Sequence, residues 1–451
     1  MLRGWLADTA RRAGRGDSIT RGWAVVTGGS AGRLLLGFVS SVLLARALGP
    51  AGLGVFSVLG AVALLAGAVA DFGVSNAAVR RIAAVWPADR AAAVARVQSF
   101  FWVRIALALT TAVVVGLLAV GPAGTALHLP RDAALIWLAV LGVPATALSG
   151  AVTVVQQATG RFGRLSLVFL FNAALTTLLA AALALLGWLT VTTALGVLGI
   201  GTSLASFVLA RRLLGPGWSL RFPGRATMRM EARHLLGFGV WLWLASLFGL
   251  AAARLDLLLV NRWVDPAGVG AYALAANLAS KVEIVNHSLY TVLLPVAATL
   301  PGGAAVRRYV RDSLFRALVA GLALVPAVAL ARPAIVLVYG AGFGDLAPLL
   351  QGLLVVTLLE ILATPLLLLT ITADRPRVLA GSEALRAAVL LGAGAWLIPA
   401  FGPGGAIAAR VIARTTSVAF ALALLARRGA APAPERAGPA AMSGGGEGTG
   451  T

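Results

Sequence analysis

Long apolar segments recur along almost the whole chain, and they restrict its possible folds more than any other feature. A helix needs about 20 mostly apolar residues to cross a lipid bilayer. Twelve segments meet this requirement, at residues 24–45, 54–78, 99–121, 133–156, 165–187, 189–210, 237–260, 270–297, 313–331, 347–373, 379–399 and 405–426. We therefore predict an all-α integral membrane protein with twelve transmembrane helices. A tight turn near Gly187–Leu189 must separate the fifth and sixth spans.

The composition excludes a soluble protein. Hydrophobic residues make up 59% of the 451 residues and charged residues only 12%, whereas soluble domains carry roughly 25% charged residues. The first apolar run, 24–45, is too long for a signal peptide and a second span follows it directly. We interpret it as an uncleaved first helix. There is no cysteine, so disulfides, thiol catalysis and Cys-ligated metals are excluded.

The distribution of basic residues predicts the orientation. With twelve spans both termini lie on the same side, and most of the 37 basic residues lie in the loops and helix ends of that side. The opposite loops hold only Arg46, Arg131, Arg262 and Arg332. The positive-inside rule therefore places both termini in the cytoplasm. We expect the arginines to face anionic lipids. Nucleic-acid binding is disfavoured, since no basic stripe stands apart from the span ends.

An internal repeat divides the chain into two halves. The segment LARALGPAGLGVF at 44–56 resembles VNRWVDPAGVGAY at 260–272, and Arg46 and Arg262 occupy equivalent positions in the two copies. Each half has six spans, so both enter the membrane in the same direction and form a parallel repeat of two lobes. The two copies are predicted to be equivalent external hairpins, with these two arginines as anchors at helix ends.

The repeat and the composition also predict the domain organisation. We expect a cytoplasmic N-terminal segment 1–23, a six-helix lobe 24–210, a cytoplasmic linker 211–236, a second six-helix lobe 237–426 and a disordered cytoplasmic tail 427–451.

No constellation of residues indicates an enzyme. The three histidines are scattered, no HExxH motif occurs, and the single lysine, Lys281, does not follow a glycine-rich loop of the Walker A type. We therefore predict no catalytic residues, no metal site and no cofactor.

Charged residues inside the spans are the most informative polar groups. Each costs roughly 2.5–3.5 kcal/mol near the bilayer centre on insertion scales, and such residues normally face the bundle interior. Seven basic and four acidic residues lie there, which leaves a surplus of three positive charges. The basic residues are Arg33, Arg104, Arg254, Lys281, Arg386, Arg410 and Arg414, and the acidic ones are Asp71, Asp256, Glu283 and Glu360. Such an interior suits an anionic substrate, because arginine binds phosphate in a bidentate manner.

Two roles remain open for each deep basic residue, namely substrate contact and pairing with a carboxylate of another helix. The substrate-binding candidates are Arg33, Arg254, Asp256, Asn261, Asn277, Lys281, Arg410 and Arg414. The candidates for binding a coupling ion are Glu283, His287 and Glu360, for which structural pairing is the alternative.

Three of the charges have a local explanation. Glu383 and Arg386 are three residues apart and are predicted to pair on one helix face. Asp71 is predicted to cap its helix or to pair with Arg80 or Arg81. Arg104 is predicted to extend toward the membrane surface.

Three segments resemble polysaccharide flippases of the multidrug/oligosaccharidyl-lipid/polysaccharide (MOP) exporter superfamily. LARALGPAGLGVF, followed by ADFGVSNAAVRR at 70–81, resembles the start of that family. RLDLLLVNRWVDPAGVGAYALAANLA at 254–279 resembles its seventh span and the following loop, and RPAIVLVYGAGFGDLAPLL at 332–350 resembles the connection from the ninth span to the tenth. The resemblance covers roughly residues 20–426.

The resemblance implies two lobes around a central cavity that work by alternating access. Members move sugars linked to a polyprenyl pyrophosphate from the inner to the outer leaflet of the bacterial cytoplasmic membrane, for surface polysaccharide or lipopolysaccharide synthesis. Relatives with cationic cavities use arginines for the pyrophosphate, and Arg33, Arg254 and Lys281 are the nearest candidates in this chain. The two extra helices of the fourteen-span lipid II flippases are not found, which favours a surface polysaccharide unit over a peptidoglycan precursor.

Two alternatives follow from the same residues. A multidrug cation antiporter of the same superfamily would need an acidic cavity, which the surplus of positive charge opposes. A non-transporting scaffold of a glycan assembly complex would have little use for the costly interior charges. Contacts with a glycan polymerase or with glycosyltransferases are left open.

Overall fold

The computed structural model describes residues 18–428, except 216, 238–239, 299–303, 323–324, 341–342, 344–345 and 373–375. Most of the predicted N-terminal segment 1–23 and tail 427–451 lies outside the described residues, and so do the side chains of some residues within the helices. Every long regular element in the described residues is a helix. The prediction of an all-α protein is confirmed.

We number the described helices in chain order. They are α1 Ser18–Asp71, α2 Val74–Ala83, α3 Arg90–Val120, α4 Pro122–Ala126, α5 Ala133–Ala158, α6 Phe162–Leu185, α7 Val191–Leu214, α8 Arg225–Gly237, α9 Val240–Trp263, α10 Pro266–Ala298, α11 Ala304–Leu322, α12 Val325–Ala329, α13 Ala331–Tyr339, α14 Ala347–Thr372, α15 Pro376–Phe401 and α16 Pro403–Arg428.

The first helix contains the first predicted span and most of the second, which was predicted to end at residue 78 whereas the helix ends at Asp71. It bends at Gly49, whose φ of 66° and ψ of 178° are not helical and whose neighbour is Pro50. Glycine adopts this positive φ without the steric cost that a Cβ atom brings. We call the end of the bundle where this bend lies the hairpin end and the opposite end, where α8 lies, the linker end.

The remaining spans follow the prediction with one exception. Gly187 has a φ of 71° and separates α6 from α7, as the predicted tight turn requires. The exception is the predicted ninth span at 313–331, which corresponds to the series α11–α13. A turn at Leu330 separates α12 from α13, which continues to Tyr339, while residues 323–324 between α11 and α12 lie outside the described residues. Pro333 lies in the first turn of α13, where proline favours a helix start.

Eight helical segments of the described chain are long and apolar enough to cross a membrane, by length and composition. One of them, Ala31–Asp71, contains most of the first two predicted spans. The other predicted spans correspond to α9, α10 and the series α11–α13. The chain is thus a multi-pass membrane protein.

Helix packing reproduces the repeat. In the first lobe α1 packs on α6 and α3 packs on α5. In the second lobe the equivalent pairs, α9 with α15 and α11 with α14, pack in the same way. The lobes meet mainly where α1 contacts α10 and α9. Two six-helix lobes in parallel orientation are therefore present.

The two hairpins touch each other at the lobe interface. A Cβ atom on Gly54 would lie 2.2 Å from the carbonyl oxygen of Pro266, and one on Gly270 would lie 1.8 Å from that of Pro50. These four residues are equivalent in pairs by the repeat, so the contact has approximate twofold symmetry. Because backbone meets backbone here, the lobes are closely apposed at the hairpin end.

The arginines of the two hairpins bind the opposite lobe rather than acting only as anchors. Arg46 donates from Nε to the carbonyl oxygen of Val338, at 2.8 Å, near the end of α13. Arg262 donates to the carbonyl oxygen of Ala126, the last residue of α4. Ala126 and Val338 are 212 positions apart, close to the 216 positions between the two arginines. We call these two contacts the arginine latches.

The predicted linker is packed against the first lobe. It includes α8, and Trp218 is buried with its ring centroid 5.2 Å from that of Trp86. Arg161 lies over both rings. The linker is therefore part of the lobe core at the linker end and not only a connection between halves.

Candidate substrate-binding cavity

A cavity of about 280 Å³ lies between the lobes, with a mostly apolar lining that includes several polar and charged side chains. One wall is α1, and the other is formed by α9, α10 and α16. Its polar lining consists of Ser41, Ser57, Arg254, Asp256, Tyr272, Asn277 and Arg410. We call it the interlobe cavity. The contact between the two hairpins closes the bundle at the hairpin end of this cavity.

A second cavity of about 300 Å³ lies inside the second lobe. Its charged lining consists of Arg254, Glu360, Arg386, Arg410 and Arg414. Arg254 and Arg410 line both cavities, so these two side chains separate them.

Asp256 compensates the charge of Arg410. The carboxylate is 1% exposed, and its Oδ2 lies 2.7 Å from Nε of Arg410. The same oxygen accepts a hydrogen bond from the hydroxyl of Tyr272. Its Oδ1 has no hydrogen-bond partner among the described atoms. Of the two roles open for Arg410, pairing between helices is thus realised, although the side chain still lines the cavity.

Four charged residues of three helices form a neutral network in the second lobe. The carboxylate of Glu360 lies 2.9 Å from Arg414 and 4.0 Å from Arg386. Glu383 lies 3.2 Å from Arg386, as predicted, and 3.6 Å from Arg414. Arg414 therefore has structural partners as well. A coupling role for Glu360 stays a prediction, and the structure gives this carboxylate two guanidinium partners.

Asp71 and Arg104 pair with each other, a contact that was not predicted for either residue. The Oδ1 atom of Asp71 binds Arg104 and accepts a hydrogen bond from Ser75 at 2.6 Å. Arg81 instead pairs with Glu231 of α8 at 2.9 Å. The two residues meet because α1 packs against α3, which brings the end of one helix beside the other.

Three basic residues remain after these pairs are formed. No carboxylate among the described side chains pairs with Arg33, Arg254 or Lys281. The Nε of Arg254 is buried and has no hydrogen-bond partner in the described part of the chain. Lys281 is half-buried and repelled by the nearby charges of Arg254 and Arg33. Arg33 is exposed, 5.3 Å from the ring centroid of Phe169. Of these three residues, Arg254 is the one that lines the interlobe cavity.

Two more charged residues lie within the predicted spans. Glu383 lies in α15 and Arg316 in the predicted ninth span at 313–331, so together they leave the surplus of positive charge at three. Glu383 belongs to the neutral network described above.

The two asparagine candidates differ in position. Asn277 lines the interlobe cavity, and its Oδ1 has no hydrogen-bond partner among the described atoms. Asn261 is not among the residues that line it, and its role in substrate binding stays a prediction. Its amide donates to the carbonyl oxygens of Leu127 and His128, at 2.8 and 3.0 Å. It shares a helix face with Arg254, but seven residues displace it by about 10 Å along the axis, to the hairpin end.

The side chains of Glu283 and His287 lie outside the described residues, so their predicted role as coupling-ion candidates stays a prediction.

Sequence reasoning missed Tyr272 as a site residue. Within the repeat Tyr272 replaces Phe56, and the two residues line the cavity from opposite lobes. The signal in the sequence was the hydroxyl group that Tyr272 has and Phe56 lacks, because a buried phenol requires a hydrogen-bond partner.

The fold and the cavity between the lobes define a multi-pass membrane protein built of two helical lobes. Residues 19–300 match the family described as "Polysaccharide biosynthesis protein", and the chain belongs to that family. No curated protein matches the chain.

Several solved structures share the fold. The lipid II flippase MurJ in an inward closed conformation has a TM-score of 0.71 and 11% identity, over 89% of this chain and 87% of that chain. A MATE family multidrug transporter in an inward-facing conformation has a TM-score of 0.65 and 15% identity, over 87% and 95%. A MOP superfamily transporter from Pyrococcus furiosus, described as having a binding pocket of reverse polarity, has a TM-score of 0.59 and 15% identity, over 92% and 96%. At these identities the likeness concerns the fold alone.

Proposed function

We propose that this protein moves an oligosaccharide linked to polyprenyl pyrophosphate from the cytoplasmic to the outer leaflet of the bacterial cytoplasmic membrane. The observation that carries the proposal is Arg254, which lines the cavity between the lobes, has a buried Nε without a hydrogen-bond partner among the described atoms and pairs with no described carboxylate. Arg33 and Lys281 also lack a carboxylate partner among the described side chains and are the further candidates for the pyrophosphate. Membership of a polysaccharide biosynthesis family supports a sugar substrate, and the likeness to a protein named a lipid II flippase supports a lipid-linked one.

The chemistry of pyrophosphate fits this group of cations. An unpaired buried charge is costly, and a guanidinium group offers two parallel donors to phosphate oxygens. Arg254 has a buried, unpartnered Nε. A pyrophosphate bound there supplies the missing acceptors and the missing negative charge.

The size of the cavity indicates which part of the substrate it can hold. About 280 Å³ lies just below the roughly 300–1,000 Å³ of typical small-molecule sites. This volume suits a pyrophosphate, while the sugars need further separation of the lobes. The polyprenyl tail stays in lipid. Rocking of the lobes then exposes the site at one end of the bundle and afterwards at the other.

The distribution of arginines supports the direction. Because the basic loops lie at the linker end, the positive-inside rule places that end in the cytoplasm and the hairpin end outside. Substrate then enters at the linker end and leaves when the hairpin contact opens.

Transport by purified protein in liposomes tests the proposal. The measured quantity is the movement of a fluorescent polyprenyl pyrophosphate oligosaccharide between the leaflets. We expect Arg254→Gln to slow it at least tenfold, because a hydrogen bond to a charged group contributes about 1.5–3 kcal/mol and 1.4 kcal/mol is a factor of ten.

Arg131→Gln is the matched control, because Arg131 is exposed in a loop at the hairpin end and its substitution removes the same charge. It should leave the rate within twofold of the wild type. Flipping that is unchanged by Arg254→Gln removes this residue from the site. Absence of flipping by the wild type, combined with export of cationic dyes, would replace the proposal by the antiporter alternative.

A further inference from the structure

A second basic cavity lies at the linker end, and the proposed transport step does not use it. Its volume is about 530 Å³. It lies between α2, α3 and α8, and it shares no lining residue with the interlobe cavity. Its lining consists of Ala77, Arg80, Arg81, Ala84, Arg96, Arg233 and His234. We call it the linker-end cavity.

The contacts inside this cavity leave donors unused. Arg81 binds both oxygens of Glu231 through one terminal nitrogen, at 2.9 and 3.1 Å, while its Nε is buried and has no hydrogen-bond partner in the described residues. Arg96 donates to the carbonyl oxygen of Arg81. Arg233 is exposed, with no hydrogen bond or ion pair to any described residue. Glu231 is thus the one described carboxylate paired with these three guanidinium groups.

This excess of cations defines the class of ligand. Like charges that converge on one cavity repel one another, and the repulsion falls when an anion enters. Guanidinium groups bind phosphate oxygens in bidentate geometry and carry their charge at every physiological pH. We propose that the linker-end cavity binds a phosphate group, carried by an anionic lipid headgroup or by a soluble phosphate compound.

The position of the cavity determines what such a ligand does. Arg81 and Arg96 belong to α2 and α3 of the first lobe, whereas Arg233 belongs to α8, which leads directly into α9 of the second lobe. A phosphate bound by all three residues ties the linker helix to the first lobe. The Arg81–Glu231 pair makes the same connection without a ligand.

Ligand-dependent thermal stability of the purified full-length protein in detergent tests the site. One arm adds phosphatidylglycerol, with phosphatidylcholine as the neutral lipid. The other arm adds inorganic phosphate at constant ionic strength. The wild type should show saturable stabilisation in at least one arm. Saturation by phosphatidylglycerol alone identifies a lipid headgroup, and saturation by inorganic phosphate identifies a soluble ligand.

The decisive variant is Arg233→Gln, because Arg233 makes no hydrogen bond or ion pair with described residues that the substitution would remove. Arg229→Gln is the matched control on the same helix, one turn earlier, exposed and outside the cavity lining. We expect Arg233→Gln to raise the half-saturating concentration at least fivefold and Arg229→Gln to leave it within twofold. Equal effects of the two variants, or no saturable stabilisation in either arm, would overturn the proposal. The readout is independent of transport, so its failure leaves the proposed function intact.

Discussion

Charge compensation decides the role of each deep residue. A charge buried in a bilayer-spanning bundle is tolerated where a partner of opposite sign or an aqueous cavity lies beside it. Asp256 provides that partner for Arg410, and Glu360 and Glu383 provide it for Arg386 and Arg414. For the residues that remain, Arg33, Arg254 and Lys281, we propose the substrate as the partner.

The pair of Asp256 and Arg410 gives a prediction about stability. Asp256→Asn leaves a guanidinium group buried without a counter-charge, and breaking a buried pair in this way costs about 3–5 kcal/mol. The double variant Asp256→Asn with Arg410→Gln should recover most of the loss, because both charges are gone. Thermal unfolding in detergent measures the effect. Tyr272→Phe is the milder control, with an expected cost of about 1 kcal/mol for one hydrogen bond. A single variant Asp256→Asn as stable as the wild type would contradict this account.

The sequence predicted charge pairs within one helix better than pairs between helices. Glu383 and Arg386 were predictable, since three residues along a helix place them on the same face. The pairing of Asp71 with Arg104 was not, because it depends on how α1 and α3 are rotated against each other. For the same reason the sequence left open whether Arg414 binds substrate or a carboxylate.

At the scale of helices, the hairpins do more than mark the repeat. The sequence identified Gly54 and Gly270 as equivalent residues, but not that each approaches the backbone of the other hairpin. Small residues allow helices of a membrane bundle to approach closely. The two glycines therefore set how tightly the lobes close at the hairpin end.

Substitution of Gly54 tests this closure. A Cβ atom would lie 2.2 Å from the carbonyl oxygen of Pro266, so Gly54→Ala must separate the hairpins. The chain has no cysteine, and Ser57→Cys in the cavity wall gives a single reporter thiol. We expect Gly54→Ala to increase severalfold the rate at which a membrane-impermeant maleimide labels this thiol in intact cells. Gly67→Ala on the same helix is the control, because a Cβ atom there meets nothing within 4 Å. Equal labelling in both variants would show that the glycine contact does not control closure.

The structure of the linker could not be predicted from its composition. Its polar, glycine- and proline-containing sequence predicted a simple connection between the lobes, and α8 together with the buried Trp218 was missed. Trp218 is buried through contacts with remote residues of the first lobe, among them Trp86. No local pattern in the linker reveals such partners.

At the scale of the whole molecule, the parallel arrangement of the lobes was predictable from the sequence. Which end of the bundle the lobes close was not. Six spans per half fix the relative direction of the halves, and the repeat fixes their equivalence. Closure at one end depends on a small free-energy difference between two arrangements of the same lobes. The structure identifies the groups that contribute to it, namely the glycine contact and the arginine latches.

The latches give a prediction about the balance between these arrangements. Arg46 donates to the end of α13 in the other lobe, and Arg262 donates to the end of α4. A cation near the carbonyl end of a helix is favourable, and a charged hydrogen bond contributes about 1.5–3 kcal/mol. Since these bonds join opposite lobes, separation of the lobes at the hairpin end breaks them. Arg46→Gln and Arg262→Gln should therefore each raise labelling of the Ser57→Cys reporter thiol from outside by about tenfold, because 1.4 kcal/mol is a factor of ten.

The repeat makes the comparison between the two variants informative. Because the latches are equivalent by the repeat, the single variants should agree within about threefold, and the double variant should be more open than either. Arg131→Gln, at the same end but without a described contact to the other lobe, should leave labelling unchanged. If neither latch variant increases labelling, the arginines do not stabilise the closed end. If only one does, the lobes separate asymmetrically, because a symmetric separation must break both latches. The motion of the lobes then does not follow the symmetry of the sequence repeat.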